Sequence, residues 1–416
     1  MSKKSMLIPV VLVTSLFFLW ALLHNLNPIL IPHLRKAFAL NDLQSSLIDT
    51  SAYISYFVVA IPAGLYMQRY GYKRGILWGL ALYAIGALLV IPAASARSYL
   101  IFLSAIFVIA AGATFLETVA NPYISVLGNK ETATQRLNFA QSFNGLGAVV
   151  APVLGGKFIL SGIEHSPEEL AAMGQGQLNT YLQSEANTVK IPYLIIAGVV
   201  LVLLLLFVLT KLPEGENEEA DHTHAVGVNF SLNVFKHKHF LWAVVSQFFY
   251  IGAQVGVGSF FIRYAHQVAD MGEKNAAYLF GSVAMVGFML GRFSGTFLMK
   301  YVHPSALLAV YGFICSCLLV VAVSSSGVIA LYALVAVPFF MSIMYPTIFS
   351  LGIHGLSSEE TKIAASFLVM SIIGGAVIPL LMGLVSVAAN SIQIAYILPL
   401  LCFVVVGYYG LRGYKM

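Results

Sequence analysis

The sequence predicts an all-α membrane protein of twelve transmembrane helices in two six-helix halves, and three observations carry that expectation. Of 416 residues, 59% are hydrophobic and only 9% charged, against roughly 25% charged in an average soluble domain. Apolar runs of about 20 residues, the length that crosses a bilayer as a helix, recur along the whole chain. The two halves also share proline and glycine positions, the sequence mark of transporters built from parallel six-helix repeats.

Polar breaks place the spans at 7–33, 42–68, 74–95, 98–128, 137–161, 190–211, 239–265, 275–300, 304–323, 327–353, 362–388 and 391–411. The first opens behind Lys3 and Lys4 as a secretory signal would. Its apolar run continues to about Ile31 without a small-residue cleavage site, so it reads as a retained helix. An even number of crossings puts both termini on one side. Lys and Arg choose that side: Lys73, Arg74, Lys130, Arg136, Lys300 and Lys362 fall with the termini, so these are expected in the cytoplasm of a bacterium, beneath its inner membrane.

Two longer polar segments interrupt the pattern. In the outer one, 162–189, Ser166 and Glu169 are spaced as a capping box with Pro167 at the first helical position, predicting a short surface helix. The inner one, 212–238, divides an N-terminal bundle (1–211) from a C-terminal bundle (239–416), and its His222 and His224 read as solvated linker. Cys315, Cys317 and Cys402 all lie in apolar runs and suggest neither a disulfide framework nor a zinc site. The net charge of +5 sits in loops, as topology signals do, and speaks against a nucleic-acid partner.

The repeat is visible residue by residue. "NPYISVLG" (121–128) ends the fourth span and "YPTIFSLG" (345–352) ends the tenth. Farther along each half, "GAVVAPVLGG" (147–156) meets "GGAVIPLLMG" (374–383), with Gly147 over Gly374, Pro152 over Pro379 and Gly156 over Gly383.

A charge at a helix centre costs about 2.5–3.5 kcal/mol on insertion scales and usually faces a cavity or a partner. Glu117 is about nineteen residues into the fourth span, roughly 28 Å along a helix of about 46 Å. Asn121 lies one turn on, on the same face, and Pro122 withholds the donor that would take the Thr118 carbonyl. The stripe suits a sugar hydroxyl, a proton or a small cation; a structural glutamate paired to a neighbouring helix is the other reading. Asp49 is shallower, roughly 10 Å from the outer end of the second span, as a cavity acid or one that reaches back to water. Arg292 in the eighth span reads as a gate arginine capping helix ends or as a substrate contact.

Uncharged polar residues form stripes as well: Trp20, His24 and Asn27; Gln141 and Asn144; Gln247, Tyr250 and Gln254; with Tyr345 before the proline of the tenth span. Amides match vicinal hydroxyls and aromatic rings stack on the C–H face of a pyranose. His24 alone reads as a helix-bridging residue or a proton carrier.

"GLYMQRYGYKRG" (64–75) resembles the signature G-x-x-x-D-R-x-G-R-R/K of the major facilitator superfamily, with Gln68 where an acid is usual. Its basic residues Arg69, Lys73 and Arg74 are placed to bond helix C-terminal carbonyls and close a cytoplasmic gate. "LFFLWALLHNLNPILIPHL", "FLETVANPY", "RLNFAQSFNG", "SQFFYIGAQ", "GRFSGT" and "SIMYPTIFSLG" resemble segments of its fucose–hexose symporter family. The resemblance implies a major facilitator fold around a central cavity, alternating access, and monosaccharide uptake driven by H⁺ or Na⁺. It matches Glu117 to an essential glutamate, and Asn25, Gln141, Asn144 and Tyr345 to cavity residues near the sugar.

One departure stands out. Fucose symporters of that family read N-L-N-D, with an aspartate needed for coupling, where this chain reads Asn25-Leu26-Asn27-Pro28. Pro28 is roughly 8 Å deep and Asp49 roughly 10 Å, so Asp49 is expected to replace the lost acid from the next helix. Protons follow the family; Na⁺ held near Asp49, Glu117, Asn121 and Asn144 is the alternative. No cofactor beyond the coupling ion is expected, and a monomer in the bilayer is. An uncoupled facilitator and a sugar sensor are competing expectations, the sensor wanting a signalling domain not seen here. The chain has no H-E-x-x-H, G-x-S-x-G or Ser/His/Asp set, so no enzyme is expected. The choice of sugar rests on one or two contacts.

Overall fold

The structure, a computed structural model, describes residues 3–25, 38, 42–158, 169, 173–213 and 232–415. Every expected span is found as helix. The first is α1 (Lys3–His24). The second and third, together α2 (Asp42–Ser95), are two helical segments meeting at Gly71, where the backbone is not helical and a φ of 79° favours a residue without a Cβ. Two separate helices were expected here, and the non-helical backbone at Gly71 divides them. The few residues between the spans need only this one left-handed position, so helical bonding resumes at once.

The fourth span is α3 (Tyr99–Val126), opened by Ser98, whose hydroxyl accepts from the Ile101 amide. Next come α4 (Ala133–Phe158), the polar surface helix α5 (Gln175–Thr188), α6 (Lys190–Leu209) and α7 (Lys238–Ala269). Ser166 and Pro167 lie outside the described residues, as do His222 and His224. A capping box does occur elsewhere, where Ser357 and Glu360 exchange bonds to each other's amides.

Four of the later spans are interrupted. The eighth passes from α8 (Glu273–Tyr278) through a π-helical turn to α9 (Met285–Leu298). After α10 (Pro304–Ser324), the tenth is broken between α11 (Gly327–Met341) and α12 (Met344–Gly352). The eleventh passes from α13 (Ser358–Met370) through a tight turn to α14 (Gly374–Ala388). The short α15 (Ile392–Ala395) and α16 (Ile397–Leu411) complete the twelfth. Backbone groups away from water must bond within the protein, and among the described residues no strand is present.

Packing repeats between the halves. Helix α1 lies against α4, and its counterpart α7 against α14. The aligned glycines make both contacts: a Cβ on Gly147 would press on the Phe18 carbonyl of α1, and one on Gly374 would strike the Phe248 carbonyl of α7. Two seams join the halves, α2 with α13 and α4 with α9 and α12. They bring together the second and eleventh spans on one side, the fifth and eighth on the other, and the repeat relates these pairs. Apolar side chains on the outer surface, such as Leu194, Val202 and Leu209 of α6, are exposed, as a bilayer solvent permits.

Candidate functional site

The polar groups of the middle spans converge on α3. Glu117 is 7% exposed and Asn121, one turn on, is fully buried. Asn121 Nδ2 donates to the Glu117 carbonyl (2.8 Å), and its Oδ1 accepts from Gln141 Nε2 of α4 (3.0 Å). From the other half, buried Arg292 of α9 donates Nη1 to the Gln141 carbonyl (2.7 Å) and Nε to the Ser342 carbonyl (2.7 Å). Its guanidinium lies 4.6 Å from the Phe288 ring centre. Four elements, α3, α4, α9 and the break after α11, are thereby tied across both halves.

Two phenols complete the setting of the carboxyl. Tyr56 of α2 and Tyr345 of α12 both face Glu117. The Tyr345 hydroxyl also faces Asn121, yet it meets neither group at hydrogen-bonding geometry and has no partner. Thr118 Oγ1 and both amide atoms of fully buried Gln247 are likewise unpartnered. A buried polar group without a bond costs about 1–3 kcal/mol. Such a set is suited to hydroxyls that arrive with a guest, beside a carboxylate that can take up a proton between two phenols.

Proline behaves differently in the two halves. Pro122 does not break its helix, because α3 runs through it to Val126, buried on nearly every side from Leu116 to Ser125. A missing amide removes one bond, and the packing around α3 retains the helical path. In the tenth span Pro346 withholds the donor from Ser342, the helix breaks there, and Arg292 takes the freed carbonyl. The expectation that Arg292 caps a helix end is thus met in geometry.

Other expected residues are placed less centrally. Asn25, Asn144 and Gln254 are half-buried, and Asn25 Nδ2 donates to the Ala21 carbonyl of its own helix. Trp20 is buried with its ring 4.4 Å from that of Phe17. Asn27 and Pro28 lie outside the described residues, as do the side chains of His24 and Asp49. Lys73 Nζ donates to the Val208 and Thr210 carbonyls (3.0 and 2.9 Å), capping the C-terminus of α6. It acts within its own half, whereas Arg69 and Arg74 are exposed beside the Tyr70 ring.

The contacts that close this basic end came from residues not singled out in the sequence. Thr134 Oγ1 and Ser350 Oγ are 2.8 Å apart, and Asn138 Nδ2 donates to Thr347 Oγ1 (3.2 Å), both pairs joining α4 to α12. Lys362, read only as a topology charge, is 6% exposed with its ammonium 5.2 Å from the Tyr72 ring of the other half. A signal existed for two of the missed residues. Tyr56 is seven residues after Asp49 on one helical face, and Asn138 extends the Gln141 stripe by three.

Comparisons with known proteins accord with this geometry. The family model of the Major Facilitator Superfamily matches residues 12–379. The chain is 44% identical to the L-fucose-proton symporter of Escherichia coli over 97% of its own length and 92% of the relative's. It is 39% identical to a glucose/galactose transporter of Brucella abortus, over 97% and 93%. Its fold superimposes on a crystal structure of the E. coli fucose:proton symporter with a TM-score of 0.90, at 42% identity, covering 98% of this chain and 99% of the other.

Proposed function

The chain belongs to the major facilitator superfamily, and from that premise we propose that it is a symporter taking up a monosaccharide, a hexose or 6-deoxyhexose, by alternating access with a coupled proton. The observation that carries this reading is Glu117, a carboxyl buried near the middle of a membrane helix, facing Tyr56 and Tyr345 and linked through Asn121 and Gln141 to Arg292 of the other half. A carboxyl can exchange a proton, and a site that bonds to both halves feels their rearrangement. The names of the relatives, an L-fucose-proton symporter and a glucose/galactose transporter, support the sugar class and, for the first, the proton.

In this reading Glu117 carries the ion. The sugar meets Tyr345, Gln141 and Asn121 from below and the half-buried amides Asn25, Asn144 and Gln254 from the side. His24, Asn27 and Asp49 remain candidates at the outer mouth, Asp49 as the acid displaced from position 28. Arg292 holds the halves together, with Arg69 and Arg74 at the cytoplasmic gate and Lys73 supporting that end by capping α6. Protons are favoured over Na⁺ because the Asn121 amide is already committed to Gln141 and the Glu117 carbonyl. Bundles 1–211 and 239–416 joined by a cytoplasmic linker, both termini inside, and a monomer in the bacterial inner membrane complete the proposal.

The test is counterflow in proteoliposomes with a panel of hexoses, with and without Na⁺ at two pH values. Exchange that depends on pH and ignores Na⁺ is expected, with L-fucose, galactose or glucose among the substrates. Uptake indifferent to pH, Na⁺ and potential would make the protein an uncoupled facilitator. For the outer mouth, Asp49→Asn should depress gradient-driven uptake, and uptake at the wild-type level would remove Asp49 from the coupling site.

A further inference from the structure

A groove at the basic end, between α1, α4 and α9, is separate from the polar core and has a different chemistry. It encloses about 380 Å³. Arg136 and Lys300 line it, together with the rings of Phe139, Phe293 and Phe297. Among the described residues, no carboxylate lines it.

The two kinds of residue are layered by depth. Arg136 is in the first turn of α4, which starts at Ala133, and Lys300 lies just beyond the end of α9 at Leu298. Phe139 follows Arg136 by three residues and Phe297 precedes Lys300 by three, so both rings lie about 4–5 Å deeper along their helices, with Phe293 about 10 Å deeper. All three rings are exposed.

Arg136 is fixed by neutral acceptors: Nε and Nη2 donate to the Ile124 and Ser125 carbonyls, and Nη1 to the Asn129 carbonyl and Thr132 Oγ1. These bonds hold its charge in place without cancelling it. Thr14 of α1 also lines the groove; it is 6% exposed, and its hydroxyl has no partner.

We propose that this groove binds an anionic phospholipid, with the headgroup phosphate between Arg136 and Lys300, the Thr14 hydroxyl donating to a lipid oxygen, and the acyl chains along the three phenylalanines. Cations at headgroup depth attract anionic lipid, and charge-assisted bonds to phosphate are strong. A free anion or a sugar would have no use for the ring wall. The groove also sits on a seam between the halves, where Gln135 Nε2 of α4 donates to the Thr296 carbonyl of α9 (3.3 Å). A lipid lodged there favours the arrangement in which that seam is closed.

The test is native mass spectrometry of the full chain in detergent, titrated with phosphatidylglycerol or phosphatidylcholine. Phosphatidylglycerol should be retained preferentially, and Lys300→Gln should weaken it about fivefold, the effect of one surface cation. Thr14→Val should weaken it less, and Lys190→Gln at the opposite end not at all. Sugar counterflow by each variant reports correct folding. Equal retention of the two lipids overturns the proposal, as does wild-type retention by Lys300→Gln. Displacement by an equal concentration of glycerol phosphate also overturns it, because the groove would then be a simple anion site.

Discussion

The fourth and tenth spans hold equivalent places in the repeat, with Asn121-Pro122 over Tyr345-Pro346, yet only the fourth stays helical through its proline. In α3 the helix stays whole, and the Glu117 carbonyl receives the amide of Asn121 from the same helix. In the tenth span the helix breaks. The Met341 carbonyl, equivalent to that of Glu117, receives the Tyr250 hydroxyl of α7 (3.0 Å), and the next carbonyl receives Arg292. The N-terminal half thus bonds locally and presents a carboxyl. The C-terminal half borrows donors from neighbouring helices and has Met341 where the other has Glu117. Duplication preserved the scaffold, down to the matching contacts of Gly147 and Gly374, and left the buried carboxyl on one side.

The strongest way to break this comparison is to remove its asymmetry. Glu117→Gln should reduce sugar accumulation driven by a pH gradient by about 100-fold or more, since the amide cannot exchange a proton. Counterflow at saturating sugar should continue. Accumulation at the wild-type level would move the coupling group elsewhere. Arg292→Lys comes next, because an ammonium cannot span two carbonyls as a planar fork does. Each charge-assisted bond is worth about 1.5–3 kcal/mol, so thermal unfolding in detergent should shift downward by several degrees with a marked loss of transport. An unshifted Tm would mean that the tenth-span break is stable without Arg292.

A finer probe separates structure from binding. The Tyr345 hydroxyl has no partner, so Tyr345→Phe should hold or raise the Tm, because it removes an unsatisfied buried hydroxyl, while raising the KM for sugar about five- to tenfold, the value of one hydrogen bond. Stability loss without a KM effect would make it a structural phenol. The smallest effect tests the equivalence of the two backbone caps. Tyr250→Phe should cost about 1 kcal/mol, one neutral hydrogen bond, and Asn121→Leu about 2 kcal/mol, because it gives up both the bond to the Glu117 carbonyl and the one from Gln141, each read as a shift in detergent unfolding. A disparity well beyond that difference would show that the two proline-bearing spans are not energetic counterparts.

Much of the site was legible because its members share helical faces. Glu117 with Asn121, and Gln141 with Asn144, stand three or four residues apart, the distance at which a helix brings side chains together. Tyr345 was marked by the proline beside it. The closure of the basic end was not legible, because Thr134 with Ser350 and Lys362 with Tyr72 join residues from opposite halves of the chain. Nor was the second phenol at Glu117, although Tyr56 shares a stripe with Asp49. A lysine opening an apolar run looks the same whether it faces lipid headgroups or the ring of another helix.

The sequence by itself determined the twelve helices, the repeat and the deep position of Glu117. Each follows from local rules: a bilayer requires the backbone to bond within its own segment, and 1.5 Å per residue converts position into depth. The tertiary structure alone decided that Pro122 leaves its helix intact while the tenth span breaks, and that Arg292 joins Gln141 to Ser342. The physical reason is that the fate of a carbonyl freed by proline depends on which donor another helix brings within about 3 Å, and no local pattern encodes that neighbour.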